Sequence, residues 1–175
     1  MALNIRIVAG LASVLLWGLP AEASDLAAYV GHYVYAGSQA EQQALSAEVD
    51  RAIGQLNFLL RPLARLAVNK QQLTPQSVII RWDGRVIGIQ TSPAGDSETL
   101  ADGSPVTVTS QGRTITMRRF LTPRGLIAES RASEGVSTTT LTLSADRRIL
   151  NLHTVLATPY VPTPISVTLT YRRQR

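Results

Sequence analysis

Arg119 has the type and setting best suited to chemistry in this chain. It lies in the alternating run Arg113 to Leu121 and shares its parity with Ile115, Met117 and Leu121. If those residues line an interior, Arg119 points inward with them. A guanidinium among apolar neighbours can hold a carboxylate or phosphate through paired hydrogen bonds. Arg81 and Arg131 are further candidates by the same parity logic, and Trp82, Met117 and Tyr171 are the large side chains that would surround a ligand. The run also admits the opposite reading, with Thr116, Arg118 and Phe120 facing the core. Glu129, on the next run, offers Arg119 a partner within the protein.

Other chemistries find little support. The two histidines, His32 and His153, have no carboxylate or second histidine at metal-binding spacing, so neither a metal nor a cofactor is expected. With Cys 0, thiol nucleophiles, disulfides and cysteine-bound metals are excluded. The acids Asp83 and Asp102 sit in turns, Glu41, Glu48 and Asp50 in a helical segment, and only Glu129 in mid-strand. No acid–base pair can be built from them by spacing. No serine stands in Gly-x-Ser-x-Gly or Ser-x-x-Lys. A non-catalytic role is therefore expected. The formal charge is +5 and Lys70 is the one lysine, so the positive charge is almost all arginine. Those arginines are dispersed, with adjacent pairs at Arg118-Arg119, Arg147-Arg148 and Arg172-Arg173, unlike the clusters that grip nucleic acid. An anionic small molecule or an anionic lipid surface is the better-matched partner.

The elements that must position these residues change period along the chain. Tyr29 to Tyr35 alternates and reads as a first strand interrupted by Gly31. Ser38-Gln39-Ala40-Glu41 is a capping box. Leu45, Val49, Ile53, Leu56, Leu60, Leu63 and Ala67 then recur at helical spacing. They predict one apolar stripe on a long amphipathic helix of roughly 30 residues, kinked at Pro62. From Ser77 onward the period is two. Asp83-Gly84 predicts a two-residue hairpin turn pairing Trp82 with Arg85, Ile80 with Ile87 and Val78 with Ile89. Further strand runs cover 98–101, 106–110, 113–121, 126–132, 136–143, 149–158 and 165–173, separated by Gly- and Pro-containing turns. This is a mainly β domain with one helical segment. Its antiparallel meander of about 8–10 strands should close, or half-close, into a barrel, because closure removes exposed edges.

The amino-terminal residues have another purpose. Arg6 precedes an apolar stretch from Ile7 to Leu19, Pro20 ends it, and Ala21-Glu22-Ala23 is a small-x-small cleavage site. Residues 1–23 read as a signal peptide and 24–175 as a single domain, periplasmic or secreted after cleavage following Ala23.

A first strand, a helical segment and then about nine short strands resembles the element order of fatty-acid-binding proteins and the wider calycin group. Val30-Gly31-His32-Tyr33 resembles the Gly-x-Trp motif on the first lipocalin strand, with Tyr33 in place of tryptophan. The Arg-x-Tyr carboxylate motif of fatty-acid-binding proteins is missing from the last strand, Leu169-Thr170-Tyr171-Arg172. That strand, continued by Arg173, is also similar to the last strand of a family of bacterial exported proteins. The resemblance implies a barrel that binds a lipophilic or anionic small molecule. The alternative is a structural or interaction module with a filled barrel and an envelope protein as partner.

Overall fold

In the computed structural model, residues 21–58, 60–62, 65, 74–93, 95–110 and 112–175 are described. The segment expected as a signal peptide therefore lies outside the described residues up to position 20. Ten strands form one antiparallel sheet in the order β4-β3-β2-β1-β10-β9-β8-β7-β6-β5. They are β1 (Gly31–Tyr35), β2 (Ser77–Trp82), β3 (Val86–Ser92), β4 (Gly95–Leu100), β5 (Val106–Ser110), β6 (Arg113–Thr122), β7 (Gly125–Ala132), β8 (Gly135–Leu143), β9 (Ile149–Thr158) and β10 (Val161–Arg173). The chain is a meander except that β1 sits between β2 and β10. The sheet curls until the edge strand β4 approaches β6, the end of which β5 leaves uncovered. An isolated bridge between Asp102 and Phe120 joins the two sides there.

Two helices lie wholly among the described residues. Ala21–Tyr29 is α1 and Gln39–Gln55 is α2. The expected first strand thus begins two residues late, because Tyr29 ends α1. There Leu26 and Tyr29 are buried among Val78, Ile80, Leu126, Leu141 and Leu150, closing one end of the barrel. The Tyr33 hydroxyl donates to the Tyr29 carbonyl at 2.8 Å, and Arg173 donates to the Ala28 carbonyl and the Tyr33 hydroxyl. The final strand is thereby tied to α1.

The hairpin register also differs from expectation. Trp82 pairs with Ile87, Ile80 with Ile89 and Val78 with Thr91. The Asp83 carboxylate accepts from the amides of Arg85 and Val86 at 2.9 and 2.7 Å. That fixes Asp83 as the first turn residue and makes Gly84 (φ +98°) and Arg85 the central pair. The shift of two residues preserves parity, so Val78, Ile80 and Trp82 still face inward.

Helix α2 is shorter than its apolar stripe predicted and ends at Gln55, with Leu56 as its cap. Beyond it, Leu56 and Leu60 are not helical, and Leu63 and Ala67 lie outside the described residues. Ala52 and Ile53 are buried. Ser38 caps the helix by accepting from the Glu41 amide at 3.2 Å, as expected. The reciprocal half of the capping box is absent, because Glu41 is used elsewhere. Strand β1 covers β10 only from Tyr171 to Arg173, which leaves a long stretch of β10 edge amides without a strand partner. Thr170 donates its amide to Glu41 Oε1 at 3.0 Å, Ser166 to Glu48 Oε1 at 2.9 Å, and Thr163 to Gln55 Oε1 at 3.4 Å. Pro162 and Pro164 have no amide to satisfy. Seven helical residues rise about 10.5 Å, close to the ~10–13 Å of three or four strand residues. Side chains spaced by seven can therefore track the strand. Arg51 locks the middle contact, donating to Glu48 at 2.7 and 2.8 Å and to the Pro164 carbonyl at 3.0 Å. The helix stands in for a missing strand.

The Arg51 guanidinium, with the Ser166 amide, lowers the Glu48 carboxyl from its ordinary 4.5 to about 2. A lowered carboxyl pKa stabilises the fold above the unfolded value and loses that effect as pH falls through the folded one. Glu48→Gln should accelerate amide exchange at Ser166 and leave Leu152 protected. The stability difference between wild type and Glu48→Gln should close between about pH 4.5 and 2. An unchanged difference across that window would show that the edge contact is not made.

Candidate functional site

The register aligns inward-facing side chains into successive rows across β6 to β10. Leu121, Leu126, Leu141, Leu152 and Leu169 form a leucine floor, continuous with the core beside α1. One step toward the other end come Arg119, Ala128, Thr139, Thr154 and Val167. Beyond them lie Met117, Ser130, Ser137, Leu156 and Ile165, extended onto β5 by Val106. Exposure rises along this axis. Leu126 and Leu141 are 0% and 1% exposed, whereas Leu156 is 37% and Val108, beside Ile115, is 43% exposed. The half of the barrel away from α1 is thus a trough, with apolar side chains facing inward yet reached by solvent.

Arg119 lies at the inner boundary of this trough and is buried. Its Nη1 donates to the carbonyls of Ile87 and Ser97, each at 3.0 Å, and its Nη2 to Ser97 Oγ at 2.6 Å. It therefore fastens β6 to β3 and β4 across the seam where the two sheet edges fail to pair. Burial pushes its pKa down to about 10, with Asp96 and Glu98 opposing, so it stays charged at neutral pH. Its Nε has no acceptor. Neither have two neighbouring buried groups, Trp82 Nε1 and Thr99 Oγ1. Trp82, Ile87 and Thr99 are lateral neighbours across β2, β3 and β4, and Arg119 binds the middle one. All three residues thus adjoin Ile87.

The other sequence candidates separate. Met117 and Trp82 face inward and are half-buried. Tyr171 faces inward but belongs to the core. Its hydroxyl donates to the Pro75 carbonyl at 3.1 Å, and burial raises its pKa. Arg81 and Arg131 are on the outer face, correcting the inward parity expected of them. Arg81 is opposite in parity to Ile80 and Trp82, and it meets Asp96 at 2.5 Å and Glu98 at 3.7 Å. Arg131 pairs laterally with Thr116 and Val136, opposite in parity to Met117. Glu129 is not Arg119's partner either: it accepts from Arg118 on the outer face at 2.6–2.7 Å. Thr99 and Ser97 were missed, because no local pattern reveals which carbonyl or hydroxyl a long side chain will reach. His32 and His153 are exposed, and His153 Nε2 lies 3.0 Å from Ser166 Oγ. Among the described residues, no group of three or more acidic or histidine side chains is placed to hold a metal.

No family model and no curated protein matches the chain. Solved structures do. A fatty acid transporter, REP1-NXSQ, superposes with a TM-score of 0.51 at 20% identity, over 85% of this chain and 98% of that one. The chain has the calycin fold of the fatty-acid-binding proteins. A secretory abundant heat soluble protein from Ramazzottius varieornatus gives a TM-score of 0.55 at 13% identity, over 84% and 96%. Lipid binding protein 8 from Caenorhabditis elegans gives 0.51 at 12%, over 85% and 96%. At these identities the calycin likeness fixes the architecture. The open half of the calycin barrel must be read from this chain's own residues.

Arg119→Met should lower stability by about 3 kcal/mol or more, since it strips a buried charged donor from two carbonyls and a hydroxyl. Arg118→Met removes an exposed ion pair and should cost within about 1 kcal/mol. Equal losses in chemical denaturation would show that Arg119 does not hold the seam.

Proposed function

We propose that the chain is an exported, non-catalytic binding protein that holds a lipophilic molecule with an anionic end in the open half of its barrel. The observation that carries this reading is the row of inward-facing but solvent-reached apolar side chains, Val106, Met117, Leu156 and Ile165, above a leucine floor in which Leu126, Leu141 and Leu169 are buried. A barrel filled by its own side chains would bury this row as it buries Leu126 and Leu141. Each inward aliphatic side chain covered by a ligand contributes about 25 cal/mol per Å² of apolar surface removed from water. The donors at the inner boundary suit the other end of the same molecule: Arg119 Nε, Trp82 Nε1 and Thr99 Oγ1 offer hydrogens and lack acceptors. A carboxylate or similar oxygen-rich group would supply them. The calycin neighbours described as a fatty acid transporter and a lipid binding protein support the same ligand class. Export rests on the segment 1–23. Cleavage after Ala23 would remove the first three residues of α1 and keep Leu26 and Tyr29 in the core.

The test is titration with a fluorescent polyene fatty acid and its methyl ester. Leu156→Asp or Val108→Asp should weaken the acid at least tenfold, and Thr168→Asp, on the outer face, should leave it unchanged. The ester should bind more weakly than the acid. Absence of binding to the wild type, or equal binding by the trough variants, would favour the filled interaction module instead.

A further inference from the structure

We infer that the end of the barrel closed by α1 is a docking surface for an anionic lipid bilayer. This does not depend on the trough, which opens at the opposite end. Arg147, Arg148, Arg172, Arg173 and Arg175 line a cleft of about 720 Å³ formed by the β8–β9 turn and the end of β10. Arg147 also lines a second cleft of about 450 Å³ with Arg124, and Arg172 and Arg173 also line a third of about 420 Å³. The clefts adjoin, so the arginines spread across this end instead of converging on one point.

Their charge is largely uncompensated. Arg124, Arg147, Arg148, Arg172 and Arg175 are exposed. Among the described residues, no acid lies within salt-bridge distance of Arg124, Arg147, Arg172 or Arg175. Arg148 has only Asp146, at 4.0 Å. Asp146 itself is occupied within its turn, accepting from the Ser144 hydroxyl at 2.6 Å and the Arg148 amide at 3.1 Å. Asp25 is the other acid lining these clefts, while Asp83 and Asp102, in the turns after β2 and β4 at the same end, lie beside Arg85. Arg173 turns inward to Tyr33 and Ala28 and anchors the strand that presents its neighbours. Elsewhere among the described residues, Arg51, Arg65, Arg81, Arg113 and Arg118 each have an acid partner, while Arg61, Arg85 and Arg131 stand unpaired but apart from one another. Unpaired arginine charge is thus gathered along these adjoining clefts. A sheet of anionic headgroups complements such a surface better than a single small anion does, because each arginine near it adds a comparable, salt-screened attraction.

The experiment is co-sedimentation of the purified protein with vesicles of phosphatidylglycerol and phosphatidylcholine, or of phosphatidylcholine alone. The readout is the ratio of the two affinities, which an apolar segment inserting into both would leave near one. The wild type should favour the anionic vesicles at least tenfold at about 0.1 M salt and lose that preference as salt rises. The triple variant Arg124→Gln, Arg147→Asn, Arg172→Gln should bring the ratio within threefold of one. Asparagine at 147 suits the positive φ of 57° there. The control Arg113→Gln, Arg118→Gln, Arg131→Gln removes equal charge elsewhere and should keep the preference. Equal loss in both triples, or no preference in the wild type, would overturn the proposal. So would displacement by millimolar inorganic phosphate at matched ionic strength, which would mark a site for a free anion.

Discussion

A ten-stranded sheet that curls without pairing its edges must be held shut by something other than a backbone ladder. Here a single guanidinium does much of it. From β6, Arg119 reaches the carbonyls of Ile87 on β3 and Ser97 on β4, and the Ser97 hydroxyl. A neutral side chain could not supply so many donors from one position. Arginine has five in a fixed fork and remains charged after burial. Because the seam is closed by a side chain, the distance between β4 and β6 is set by its length. The same placement puts the remaining Nε at the inner boundary of the trough.

The interior is graded as a consequence. Toward α1, leucines from five strands meet Tyr33, Tyr171, Leu26 and Tyr29 in a packed core. Away from it the row containing Arg119 adds the Thr139–Thr154 hydroxyl pair, 2.9 Å apart, and the next row is open. One end carries the stability, which leaves the other free to stay unfilled. The short β1 produces a matching device on the wall. It abandons the edge of β10 after three residues, and α2 supplies carboxylates at seven-residue intervals to take the amides left over. At both the seam and this edge, charged side chains finish backbone hydrogen bonding that the strands leave incomplete.

What was legible in the chain follows from how local the cause is. The alternation of Leu150, Leu152, Thr154 and Leu156 against Ile165, Val167, Leu169 and Tyr171 is a property of each strand, and the structure pairs the two sets on one face. The near-barrel followed from strand number and short turns. The sequence allowed Arg119 either direction, and the structure has the one it shares with Met117 and Leu121. Its partners were not legible, since Ser97 and Ile87 are 22 and 32 residues away. The hairpin slipped by two residues because Asp83 takes the turn amides, a competition between side chain and backbone that the Asp-Gly signal alone does not resolve. Glu41 looked like half of a capping box, yet the amide of Thr170, 129 residues on, captured it. Arg81 was legible as an outward residue only once Ile80 and Trp82 were fixed inward.

The most direct test of the graded interior is a methyl and arginine side-chain NMR titration with a fatty acid. The methyls of Val106, Leu156 and Ile165 and the Arg119 Nε–H resonance should shift together and saturate at one equivalent, while Leu126 and Leu141 on the floor stay in place. Shifts confined to the outer face, or an Arg119 Nε–H resonance unmoved at saturation, would contradict a ligand seated in the open half with its polar end at the seam.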